Sequence, residues 1–223
     1  MRLCMFHPDE TPMDRGWVGR IDGDRMIHLA AQTLQAFFLN GGTAREHAEY
    51  PLETVTLLVP VQYPPTVRMF SDDGSFRFAN ATAVVGDGVA VEGGPLRALA
   101  RLAAVVGAGG EIGGTTALLE WQDRAEEPDV KQSDFGIVLG PVVVTADEID
   151  PASVGGRLRA GAAEVSGGVG GFSWAAAAAL AGRRTMLRPG DLLAGPPFLV
   201  LDDVRSDAEL EVDVIGALRC PVA

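Results

Sequence analysis

With 223 residues, 47% of them hydrophobic, the chain is long enough for one or two domains with a substantial core and is not a disordered polymer. Thirty acidic residues against 18 basic ones leave a formal charge of −12, which argues against nucleic acid as a partner and disfavours anionic membranes. The stretch MRLCMFHPDE has no apolar leader, and the longest apolar run, AAAAALA at 175–181, is too short to cross a bilayer, so a soluble cytoplasmic protein is expected.

In chain order, MRLCMF and GWVGRIDGDRMIHL are β-prone, with Asp22-Gly23 as a hairpin turn signal. Met26, Leu29, Ala30, Leu34, Phe37 and Phe38 fall at helical spacing, which predicts a helix over 26–39 stopped by Asn40-Gly41-Gly42. TAREHAEY reads as a polar linker, PLETVTLLVPV as a strand, and Tyr63-Pro64-Pro65 as a stiff connector. This places a small α/β domain at 1–60 and a β-rich domain at 61–223. Short Val/Ile/Leu runs broken by Gly and Pro then predict an all-β body, ending in LEVDVIGALRCPV with one wet face. Within it FSWAAAAALAG is a helix, capped by Ser173 and stopped by Gly182, whereas GAAEVSGGVGG reads as a flexible turn. Cys4 and Cys220 lie at opposite ends without metal-type spacing, so two reduced thiols are expected.

Six segments, in order, resemble the fumarylacetoacetate hydrolase family. They are PPTVRMF, FRFANATAVVGDG, LARLAAVVG, KQSDFGIVLGPVVVTADEIDP, LRPGDLLAGPP and LEVDVIGALRCPV. The resemblance implies an α+β fold, a small N-terminal α/β domain before a mainly β catalytic-type domain, and a homodimer. It also implies a divalent cation held by four carboxylates, which polarises a carbonyl of a small-molecule substrate. At the matching positions this chain has Met69, Leu99, Arg101 and Glu120, so one carboxylate remains with a cation beside it. A guanidinium repels a divalent ion and Met69 and Leu99 offer no hard donor, so neither a metal nor any other cofactor is expected. The segment that carries a catalytic histidine in the family is reduced to SDDGS, and the family's Gly-Thr is Gly195-Pro196.

Lys131 matches a family lysine that contacts substrate, and Glu120 and Arg124 match a family Asp and Arg. Arg68, Met69, Leu99 and Pro196 are the expected substrate wall. Three readings of Arg101 stand side by side: it replaces the metal's charge, it fills an abandoned site with Glu120, or it lies in water on a shifted strand. His47 with Glu46 or Glu49 reads either as a lid pair or as a solvated face, and Asp72-Asp73 as a turn or as replacement acids. Two function classes follow: a metal-independent enzyme working on an enolisable polycarbonyl molecule in a biosynthetic pathway, by cyclisation, isomerisation or C–C bond chemistry, or a non-catalytic binding protein on the same fold. A divergent acylpyruvate-type hydrolase or decarboxylase is a third.

Overall fold

The computed structural model describes all 223 residues. The N-terminal strands are β1 (Arg2–Pro8), β2 (Trp17–Asp22) and β3 (Arg25–Leu29), followed by helix α1 (Leu34–Leu39) and strands β4 (Glu46–Pro51) and β5 (Val55–Leu58). Next come β6 (Val67–Phe70), β7 (Phe76–Ala79), β8 (Val84–Val85), β9 (Leu96–Val106), β10 (Ile112–Gln122) and β11 (Ile137–Thr145). The chain ends with β12 (Gly155–Ala160), β13 (Ala163–Gly168), α2 (Trp174–Ala181), β14 (Leu192–Ala194), β15 (Leu199–Val204), β16 (Ala208–Val212) and β17 (Gly216–Cys220).

The Asp22-Gly23 signal is realised as a two-residue hairpin: Asp22 pairs with Arg25 and Gly23 takes a φ of 62°. The turn carries β3 straight into the sheet, so the helix expected over 26–39 is confined to Leu34–Leu39. Met26 and Ile27 point into opposite cores, which is strand alternation where a single helical stripe was expected. Thr33 caps the short helix by accepting from the Ala36 amide. Residues 46–51 are likewise a strand, paired on β3, where a linker was expected. GAAEVSGGVGG, expected as a turn, supplies the edge strand β13 of a hairpin with β12.

One sheet of 13 strands follows the path β4-β3-β2-β1-β11-β10-β9-β14-β6-β7, with β15 on β9, β5 on β1 and β8 on β11. Residues 1–60 join the rest through β1, whose Arg2 and Leu3 pair with Val144 and Val143 of β11. A second sheet, β13-β12-β16-β17, packs Leu158, Leu210 and Leu218 against Ala98, Leu102 and Trp121 of the first. On the other face Leu3, Met5 and Phe37 meet Leu118, Val105 and Met69. Helix α2 is capped by the Ser173 hydroxyl and ends at Gly182, as its sequence predicts. Its Ala177 and Ala181 lie against Phe70, Ala104, Val106 and Leu193, the small side chains allowing a close approach.

Candidate active site

The two longest strands, β9 and β10, pair along their whole length with Arg101 opposite Leu118 and Glu120 opposite Leu99. Arg101 and Glu120 are therefore diagonal neighbours on one face, a spacing that long side chains bridge. Arg101 Nε donates to Glu120 Oε2 at 2.7 Å, while its Nη1 donates to the carbonyls of Phe70 (2.9 Å) and Gly195 (2.7 Å). Those carbonyls are available because β6 ends at Phe70, and β14 ends one residue before Gly195. Nη2 makes no hydrogen bond within the chain and keeps contact with solvent. Arg101 is 6% exposed and Glu120 is fully buried, which removes the reading of Arg101 in water.

The second carboxylate oxygen of Glu120 accepts from Arg77 of β7 and from Gln122 Nε2 at 2.9 Å. Two guanidinium groups thus converge on one carboxylate. Burial pushes Arg101 below its ordinary value, and the adjacent Glu120 charge acts in the opposite direction. The Asp72 charge also acts on Arg101, from the SDDGS turn that joins β6 to β7. Asp72 lines a cavity of about 610 Å³ together with Phe70, Phe172, Ser173, Leu180 and Pro196. Phe172 packs its ring 5.6 Å from Phe70 and 4.9 Å from Trp174, making an aromatic wall. The cavity adjoins the Arg101 network through Phe70 and the Gly195-Pro196 peptide.

The expected site residues divide. Arg101, Glu120 and Leu99 come together, and Pro196 lines the cavity. Met69 pairs with Arg77 across the β6–β7 hairpin but is buried in the core beside Ala103 and Ala194. Arg68 is enclosed, donating to Thr66 and facing Asp191 at 3.6 Å, with the Phe78 ring 5.3 Å from its guanidinium carbon; its charge is committed inside the fold. Lys131 pairs with Asp134 on an exposed turn, and Arg124 reaches Asp202 at 3.8 Å, so both form their ion pairs elsewhere. His47 lies on β4, its ring 5.1 Å from that of His28. Gln122 lies outside the six resembling segments, and Arg77, inside FRFANATAVVGDG, has no role of its own in the resemblance; its pairing with Met69 is what turns it to the same face.

These residues do not fit a divalent cation. Glu120 is saturated by three nitrogen donors and Arg101 brings positive charge to the same point. Nowhere in the chain do three or more His, Cys, Asp or Glu side chains gather into a group that can hold a metal.

No protein-family sequence model matches the chain, and no curated protein does. Solved structures do match, and they place it in the α+β fumarylacetoacetate hydrolase-like fold class. Among them is maleylpyruvate hydrolase from Sphingobium sp. SYK-6, 22% identical with a TM-score of 0.80 over 100% of this chain and 99% of that one. Another form of that hydrolase is complexed with manganese(II) and pyruvate. A 2-hydroxyhepta-2,4-diene-1,7-dioate isomerase from Mycobacterium marinum is 21% identical, with a TM-score of 0.78 over 100% and 98% of the two chains. A 2-keto-3-deoxy-D-arabinonate dehydratase, complexed with magnesium and 2,5-dioxopentanoate, is 18% identical with a TM-score of 0.81 over 100% and 98%.

Proposed function

We propose that the chain is a metal-independent enzyme acting on an enolisable polycarbonyl small molecule, with Arg101 in place of a metal's charge. The observation that carries this reading is the Arg101 guanidinium: three of its hydrogen bonds fix its plane in the fold, and one nitrogen remains for a ligand. A fixed, partly desolvated donor stabilises charge as it develops on an oxygen without having to reorganise. Glu120 is too fully engaged to move a proton and serves to orient Arg101 and Arg77. Asp72 on the cavity wall is the carboxylate placed to act as base. It removes a proton from the carbon between two carbonyls, and the electron pair moves onto an oxygen held by Arg101. Reprotonation at another carbon isomerises the substrate; attack of the carbanion on a second carbonyl closes a ring. The apolar lining from Phe70, Phe172, Leu180 and Pro196 suits a substrate with a large apolar body and one anionic end.

The saturation of Glu120 favours a second reading, in which the fold is kept for binding alone. Both are tested by following solvent deuterium exchange at the acidic carbons of a panel of 2-keto and 1,3-dicarbonyl acids by NMR, with and without chelator. The enzyme reading expects exchange with at least one compound, unchanged by chelator. Loss of one donor at the oxyanion should slow Arg101→Ala by about 10²–10³, and Asp72→Asn should lose exchange without losing ligand shifts. Ligand shifts without exchange across the panel would establish the binding protein. Exchange that requires Mg²⁺ or Mn²⁺ would overturn the metal-independent route.

A further inference from the structure

Away from this site, α1, the Tyr63–Pro65 connector and the 182–189 segment enclose an open groove of about 1350 Å³. Small-molecule pockets occupy about 300–1,000 Å³, so the groove has the dimensions of a peptide or helix site. Its rim holds three of the chain's exposed large apolar side chains, Leu39 (66%), Tyr63 (88%) and Met186 (76%). Tyr63 is held at a φ of 52°, a left-handed conformation costly for a residue with a side chain and unusual before proline. The fold thus maintains strain at a position that displays an aromatic ring to solvent.

Charge sets this face apart. No aspartate or glutamate lines the groove, although the whole chain carries 30 acids; the acid next to it in the chain is Glu111, which follows the lining Gly110. Beside it Arg183, Arg184 and Arg188 are exposed, and none of them takes part in an ion pair. Elsewhere the exposed Arg25, Arg157 and Arg159 are paired, while Arg15, Arg45, Arg205 and Arg219 are unpaired but do not line the groove. A second copy meeting this face by a two-fold axis would set an acid-free arginine surface against itself. The complementary occupant brings carboxylates.

We propose that this groove docks an acidic amphipathic helix of another protein, with its apolar side chains on Leu39, Tyr63 and Met186 and its carboxylates on Arg183, Arg184 and Arg188. Methionine and tyrosine suit such a surface: the first adapts its shape, and the second offers large area at little rotamer cost. The partner is read at successive turns, as in helix-in-groove recognition. The inference is independent of the reaction assigned to the other cavity.

The test uses a fluorescein-labelled peptide with leucines at i and i+4 between glutamates, and its twin with lysine at every glutamate. Anisotropy titrations of the full chain should show binding of the glutamate peptide, weakened by salt, and little binding of the lysine one. The triple variant Arg183→Glu/Arg184→Glu/Arg188→Glu should reverse that preference. Leu39→Ser/Met186→Ser should weaken binding about tenfold, the scale of two partly buried apolar contacts. All five positions are exposed, so circular dichroism and melting should match wild type; a binding loss accompanied by unfolding would be repeated with Met186→Ser alone. Equal binding of the two peptides, no binding of either, or indifference to the variants overturns the proposal. So does sedimentation showing a dimer that Met186→Ser dissolves, which would give the face to a second copy.

Discussion

Replacing Arg101 by methionine keeps most of the side chain's volume but removes its charge and all three of its hydrogen bonds. The Phe70 and Gly195 carbonyls and one Glu120 oxygen lose their donor, and a buried acceptor left unpaired costs about 1–3 kcal/mol. Breaking a buried ion pair from one side typically costs about 3–5 kcal/mol. Here Arg77 and Gln122 still hold the other oxygen of Glu120, so the lower part of that range applies. For a chain of this size about 1 kcal/mol moves Tm by about 2–4 °C, so Arg101→Met should melt roughly 6–15 °C lower. Adding Glu120→Met removes the stranded carboxylate and should recover more than half of the loss, leaving the two carbonyls, the Gln122 amide and a half-exposed Arg77. Thermal and urea unfolding of wild type, both single variants and the double variant form the complete cycle. A loss under about 1 kcal/mol in Arg101→Met, or a double variant no more stable than the single, would refute the buried pair as the organising contact of this site.

Two further outcomes follow from buried and half-buried titratable groups. Burial pushes Cys4 up to about 12 and Cys220 to about 11, and both side chains are sealed from solvent; iodoacetamide at pH 8 should therefore label neither thiol until denaturant is added, and rapid native labelling would contradict the packing of β1 and β17. Burial, and then the neighbouring His47, hold His28 below 6.5, so the unfolded chain binds the proton more readily than the folded one. This group costs no stability above about pH 6.5 and destabilises progressively as pH falls through its lower native value; His28→Gln should lose less stability than wild type on acidification, and an NMR titration with His28 at or above 6.5 would contradict this.

Much of this arrangement is legible in the sequence because it rests on local rules. Ser173 and Gly182 mark α2, SDDGS marks the β6–β7 turn, and an arginine in the apolar run RALARLAAVVG demands a partner that Glu120 supplies. The parts that escape depend on geometry across strands. Arg77 reaches Glu120 only because the β6–β7 hairpin folds alongside β14, a parallel pairing of residues far apart in the chain. The resemblance in PPTVRMF draws attention to Met69, yet nothing local to that segment says that its side chain closes over Ala103 and Ala194. Residues 26–29 illustrate a shared periodicity: apolar side chains spaced to suit one helix face also suit both faces of a strand, and the Asp22-Gly23 turn decides between them.

Helix α2 has a consequence of its own. Ala176, Ala177 and Leu180 line the smaller cavity, while Ala178, Ala179 and Gly182 line the groove, so the two volumes are divided by a wall one helix thick. Alanine has no rotamers with which to absorb a displacement, so an occupant pressing on one side moves the helix as a body. Any change this makes in affinity on the far side must be matched, in the same factor, by the effect of the far ligand on the near one. A wall made of almost nothing but methyl groups is therefore also a direct route by which occupants of the two proposed sites would sense each other.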